Sequence, residues 1–199
     1  MQAFLHQRLQ VLAGLQAASS AVLVKYNRLD LDLAHALSAF LDEAVSSCRM
    51  LGLSGAENRL LALQAQTVSA AQGIHPDTLE RVSSHRRELQ RAVALRVLQL
   101  SAEHLRADIE RDQGVLDQAR AQLRPMVLVA VQEGLVSMPQ RDPLSMAELD
   151  ALWRAMLAHP ELQLSVRQLA MQASVHDLLL LLAGLVEAAG ANVPPRPAR

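Results

Sequence analysis

The sequence predicts an all-α fold, a helical bundle built around one long central helix (residues 77–124) with a smaller C-terminal helical section. Three observations lead there. Asp77–Arg124 contains no proline and a single glycine, Gly114, and is rich in Leu, Arg, Glu and Gln, a composition that favours helix over its whole length. Aromatic residues make up only 2% of a chain that is 51% hydrophobic, so the core must be built from interdigitating Leu, Val, Ala and Met. Alternating β-branched runs, the mark of half-buried strands, are few.

In chain order, residues 2–24 read as a first helix, with Leu5, Leu9, Leu12, Leu15 and Val22 near one face. After a turn at Tyr26-Asn27-Arg28, a second helix spans 29–51 and places Leu33, Leu37, Phe40, Ala44, Cys48 and Leu51 in register. Cys48 lies on that stripe, as a buried apolar thiol would. Gly52 and Gly55 bracket the next break, and Ser54-Gly55-Ala56-Glu57 has the form of a capping box. The third helix runs to Gln72 and stops at Gly73, with Leu60, Leu61, Leu63 or Gln64, Val68 and Ala71 as its buried positions.

The long helix is bounded by His75-Pro76-Asp77-Thr78 and Arg124-Pro125. At about 1.5 Å per residue it would extend roughly 70 Å. Leu79, Val82, Leu89, Val93, Val97, Leu100, Ile109, Leu116 and Leu123 form a near-heptad, coiled-coil-like seam, with Arg86 and Asp112 on or beside it. The first half is basic and the middle mixed and acidic, so antiparallel pairing of two copies would set unlike charges together. Gly114 marks a place where the helix can bend or end. Beyond Pro125, Met126–Val131 is apolar on all sides and reads as a short buried helix with Pro125 in its first turn. Ser145-Met146-Ala147-Glu148 is a second capping box, opening a helix that carries Leu149, Leu152, Trp153, Met156 and Leu157 and ends at His159-Pro160. A helix or helix pair then fills Glu161–Ala189, and the proline-rich end reads as a disordered tail. The domain division expected is 1–124 for the long-helix bundle, 125–190 for the C-terminal subdomain and 191–199 for the tail.

Composition narrows function by exclusion. A net charge of −1 gives the whole chain no electrostatic pull towards nucleic acid or anionic membrane. One cysteine excludes an intrachain disulfide and a multi-cysteine zinc site. The longest apolar run, Leu178–Val186, is about half the length needed to span a bilayer, and the N-terminus lacks the order of a signal peptide. The reading is a cytoplasmic protein with no transmembrane segment. An Ala-, Leu- and Arg-rich chain with one lysine, Lys25, fits a bacterial coding bias. Neither a glycine-rich phosphate loop nor a Gly-x-Ser-x-Gly elbow occurs. Asp32-Leu33-Ala34-His35, His85–Glu88 and the trio Glu103, His104 and Asp108 come nearest to metal-ligand patterns, and read as solvated polar residues.

Two surfaces remain. Arg81, Arg86, Arg87, Arg91 and Arg96 form a candidate anion or partner surface. Leu178, Leu179, Leu181, Leu182 and Leu185 form a candidate apolar interface, since a helix apolar around its circumference must be central or intermolecular. In addition, Ser165–His176 resembles the first helix and turn of a bacterial helix-turn-helix, with an alanine at the packed position, a small residue at the turn, then a valine. The resemblance covers about a dozen residues of the 165–185 stretch. The segment after it departs from the pattern, because a recognition helix needs polar or basic side chains and Leu178–Leu182 supplies none. The expected function is a non-catalytic α-helical protein–protein interaction protein (adaptor, chaperone or assembly component) that self-associates as a homo-oligomer, a dimer, without enzymatic activity, metal or cofactor. The alternatives are a nucleic-acid-binding regulator using the degenerate motif, and a helical-bundle metal or cofactor protein.

Overall fold

A computed structural model describes residues 4–82, 84–135 and 144–191. Among them the chain forms seven helices and no strand: α1 Leu5–Asn27, α2 Leu33–Met50, α3 Ser54–Ala71, α4 Arg86–Gln132, α5 Met146–Ala158, α6 Gln163–Gln172 and α7 Val175–Ala191. The all-α bundle around one long helix is therefore the observed architecture. The expected proline-rich tail and the loop from Pro139 to Pro143 lie outside the described residues.

The long helix keeps its length but shifts along the chain, to 86–132 instead of 77–124. At its start, residues 73–82 fold back on themselves. His75 N–H donates to the Glu80 carbonyl and Val82 N–H to the Gly73 carbonyl, both within 2.9 Å, and Ile74 bridges Arg81. The His75 ring nitrogen Nδ1 accepts the Asp77 and Thr78 amides, so the groups expected to open a helix close a tight loop. Leu79 and His85 both have positive φ, which no α-helix accommodates, and the helix starts directly after His85. At the other end α4 runs through Pro125. A proline inside a helix removes one hydrogen bond, that to the carbonyl four residues back. Here Pro125 and Ala121 are both exposed, so water can satisfy the carbonyl that Pro125 leaves without a partner. Met126–Val131 is accordingly the last part of α4, not a separate short helix.

Along α4 the buried residues are Ala94, Leu98, Ser101, Leu105, Asp108, Asp112, Leu116, Ala119, Leu123, Val127 and Ala130, flanked by Val93 and Val97. From Ala94 to Ala130 this stripe takes ten steps over 36 positions, a mean of 3.6. That is the period of a straight helix, whereas a supercoil needs 3.5. The coiled-coil-like seam is thus an ordinary buried stripe, and Asp112 lies on it while Arg86 is exposed.

The chain divides into two compact units inside α4, between Arg111 and Asp112, and not at Pro125. In the first unit, from Gln7 to Arg111, Leu12, Leu15 and Val22 of α1, Leu37, Phe40, Leu41, Ala44 and Cys48 of α2, Leu60 and Leu63 of α3, and Val93–Leu105 of α4 share one core. Of the stripes expected for α1 and α2, Leu12, Leu15, Val22, Leu37, Phe40, Ala44, Cys48 and Leu51 are buried, while Leu5, Leu9 and Leu33 are half-buried. On α3 the buried face is rotated: Ala56, Leu60, Leu63 and Ala70 are inside, while Leu61 and Val68 are exposed. The expected capping box at Ser54–Glu57 does not form. Leu53 is the N-cap and no side chain caps the helix, because Gly52, at φ +69°, closes the end of α2 with Leu53 N–H on the Cys48 carbonyl. Glu57 is drawn instead to Arg49, 2.8 Å away. Burial, with the neighbouring Asp108 carboxylate, pushes the Cys48 thiol up to about 11, so the sulfur is an apolar core atom.

In the second unit, Phe4–His6 with 112–191, α5, α6 and α7 pack against one another. Here the predicted capping box is present: Ser145 Oγ accepts the Glu148 amide, and the Glu148 carboxylate accepts the Ser145 amide at 2.8 Å. Leu149, Leu152, Trp153 and Met156 are buried as expected.

Two glycines give opposite expectations. A Cβ on Gly114 would meet nothing within 4 Å, so Gly114→Ala should stabilise the protein by about 0.5–1 kcal/mol through helix propensity. Gly73 has φ +75° and its Cβ would come to 3.3 Å of the Val82 carbonyl oxygen, so Gly73→Ala should destabilise by about 1 kcal/mol or more. Urea unfolding of both variants checks the pair.

Candidate functional site

Of the arginines read as an anion surface, three are occupied within the first unit. The Arg86 guanidinium donates to the Ala71 carbonyl at the end of α3, where a cation complements the helix dipole. Arg91 lies over the Tyr26 ring, 5.3 Å from its centre, within cation–π range. Arg96 pairs with Asp77. Arg81 and Arg87 are exposed. The group therefore ties α3, α1 and the 73–82 loop to α4, and does not present five guanidinium groups as one outward surface.

The leucines read as an apolar interface lie in the interior of the second unit. Leu178, Leu179, Leu181 and Leu182 are buried and Leu185 is half-buried, so the chain itself covers the face expected to meet a partner. Of the two positions open to such a run, central or intermolecular, burial within the chain corresponds to the central one. What α6 and α7 do expose is different. Leu164 and Met171, seven residues apart on α6, are 66% and 88% exposed, and Val175 and Leu180 on α7 are exposed too.

The helix-turn-helix resemblance is matched in outline, since α6 and α7 meet at 119° across a short break. Its packing differs. Ala170 and Val175 are exposed, although both would be covered in the motif. The outward positions of α7 are Val175, His176, Leu180, Gly184, Glu187 and Ala188, which include no lysine or arginine for phosphates or base edges.

One buried polar group that the sequence did not single out makes several hydrogen bonds. Asp177 is fully buried. Its carboxylate accepts the Leu5 amide (2.9 Å), the His6 amide (3.0 Å), the His6 ring Nδ1–H (2.7 Å) and the Ser174 hydroxyl (2.6 Å). Ser174 Oγ in turn accepts the Asp177 amide at 3.0 Å, and the Phe4 ring lies against that of His176 with centres 4.5 Å apart. One carboxylate thus caps the N-terminus of α1 and takes part in the start of α7. Burial alone would raise its pKa; the hydrogen bonds from Ser174, His6 and Leu5 outweigh it and hold the group below the usual aspartate range. Serine, histidine and aspartate meet here, but Ser174 and His6 both bind the carboxylate. The histidine that stands between serine and aspartate in a nucleophilic triad here binds the carboxylate beside the serine, so the arrangement is not such a triad. A Ser-x-x-Asp spacing at 174–177 was visible in the sequence; a partner 171 residues away was not.

No group of three or more His, Cys, Asp or Glu able to hold a metal ion occurs among the described residues. Asp32 pairs with Lys25 at 2.9 Å, and His85 with Glu88 at 3.0 Å, both side chains of the latter pair being exposed. No single helix is long and apolar enough to cross a membrane among the described residues.

The Asp177 network makes a pH-dependent prediction. A carboxyl group with a depressed folded-state pKa contributes stability above the unfolded pKa, about 3.9 for aspartate, and loses it as pH falls through the folded value. Asp177→Asn should cost about 1–3 kcal/mol at pH 7. The gap to the parent protein should narrow as pH is lowered below about 4. Urea unfolding at several pH values measures it; a gap that stays constant down to pH 2 would contradict the assignment.

Comparison with protein-family models, curated proteins and solved structures yields no match. Any functional assignment therefore rests on these side chains and their surroundings.

Proposed function

We propose that this chain is a non-catalytic α-helical protein–protein interaction protein of the adaptor, chaperone or assembly type, and that it self-associates as a dimer. The observation that carries the reading is the exposure of Leu164 and Met171 on α6 and of Val175 and Leu180 on α7. These side chains project from a unit whose interior is already filled by Leu178, Leu179, Leu181 and Leu182, so the fold itself has no need of them. Scattered single exposed leucines are ordinary on a protein surface; several on two consecutive helices are what an interface supplies. A regulator reading through nucleic acid draws support from the bend between α6 and α7 alone, and the uncharged outward face of α7 speaks against it. The reading does not use the seam of α4, because that stripe is covered within the chain.

Light scattering and sedimentation at tens of micromolar test the proposal. The expected result is a dimer for the parent protein and a folded monomer for Met171→Glu combined with Leu164→Glu. A monomeric parent protein at that concentration would count against self-association through this surface.

A further inference from the structure

The turn between α1 and α2 ends its helix with an unusual residue. Four helices of the chain finish in the same pair of backbone hydrogen bonds, donated by a residue at positive φ and by the residue after it. After α2, Gly52 N–H donates to the Arg49 carbonyl and Leu53 N–H to that of Cys48. After α3, Gly73 donates to Ala70 and Ile74 to Ser69; after α4, Gly134 donates to Val131 and Leu135 to Ala130. Glycine takes the left-handed position each time, because it has no Cβ to strain. After α1 the same bonds run from Leu29 to Tyr26 and from Asp30 to Lys25, and the left-handed residue is a leucine, at φ +59°. Packing gives no reason for it, since Leu29 is 62% exposed and Leu31 fully so.

Little else in the turn stops a helix. Leu15–Leu51 contains neither glycine nor proline, Leu29 is the one residue of the turn at positive φ, and Asp32 makes no side-chain cap at the start of α2. The contacts that hold the turn are local and exposed: Asp30 Oδ1 accepts the Asp32 amide at 3.0 Å, and Asp32 pairs with Lys25 at 2.9 Å. An ion pair in solvent contributes little. Return of Leu29 to helical φ joins α1 and α2 into one continuous helix. Straightening takes α1 away from the core of the first unit, where Leu12, Leu15 and Val22 are buried. A second copy with the same straightened hinge supplies the same side chains to the same core. Leu5 and His6 travel with α1, so their bonds to Asp177 are exchanged in the same step. Exchange of an identical element leaves the contacts outside the hinge unchanged, so the hinge and the protein concentration set the balance. We propose that two copies of this chain exchange α1 by straightening residues 28–32, giving a swapped dimer independent of association through α6 and α7.

Refolding of the full chain from urea at low and at high protein concentration tests it. The chain carries Leu164→Glu and Met171→Glu, so the outcome does not depend on the α6–α7 surface. Spin labels at the exposed positions Ala17→Cys and Glu43→Cys, diluted into unlabelled protein, read the hinge. Their separation is about 39 Å along a continuous helix at about 1.5 Å per residue, and far less with α1 folded back beside α2. The expected result is a slowly exchanging dimer whose share grows with concentration, with the long distance in the dimer and the short one in the monomer. Leu29→Gly suits the left-handed position and weakens a continuous helix, and should lower the dimer-to-monomer ratio about tenfold or more. Asp30→Ala removes the bond to the Asp32 amide and favours helix, and should raise the ratio. A merely structural turn predicts no change in association for either variant. The proposal is overturned if refolding at high concentration gives monomer alone, if the dimer keeps the short distance, or if Leu29→Gly leaves the ratio unchanged.

Discussion

One constraint governs the architecture: the uninterrupted buried stripe of α4 from Ala94 to Ala130. Forty-seven residues of helix cannot persist on propensity alone, because isolated helices are marginal and depend on packing of an apolar face. In the first unit the stripe is closed by α1, α2 and α3. Its continuation through Leu116, Leu123 and Val127 belongs to the second unit. The stripe also explains why two unfavourable residues are tolerated inside the helix. Gly114 and Pro125 both fall on the exposed side, where a missing side chain leaves no cavity and a missing hydrogen bond is replaced by water.

The polar contacts serve this packing at defined points. Arg86 at the end of α3 and Arg91 over Tyr26 fasten the beginning of α4 to its neighbours. Asp108 enters the stripe as a buried carboxylate and is stable there because two guanidinium groups meet it. Asp177 does the equivalent in the second unit with backbone amides of α1. In both places a buried carboxylate joins residues of its own unit that are distant in sequence, which apolar contacts alone specify less sharply.

Period and composition made much of this legible. The stripes of α1, α2 and α5 and the capping box at Ser145–Glu148 follow from three- and four-residue spacing and short-range hydrogen bonding, both of which are local. The start of α4 was not legible, because the 73–82 loop depends on hydrogen bonds between His75 and Glu80 and on positive φ at Leu79 and His85, residue types that carry no turn signal. Pro125 misled for the opposite reason: it is a good stop signal whose effect depends on which side of the helix faces water. Whether the arginines of 81–96 and the leucines of 178–185 face inward or outward is decided by tertiary packing, which spacing along the chain does not encode. The Asp177 network and the Arg59–Asp108 pair join residues far apart in the chain, so no window of sequence contains either.

The central claim is that a single helix runs from Arg86 to Gln132, through Gly114 and Pro125, with one buried stripe along it. Residue-resolved amide hydrogen exchange under native conditions tests this most directly. The account predicts strong protection at the buried positions from Leu98 through Leu116 and Leu123 to Val127 and Ala130, and rapid exchange at Arg87 in the first, unbonded turn of the helix. Rapid exchange throughout 126–131, with protection beginning at Asp77, would contradict it and restore a helix that ends at Arg124.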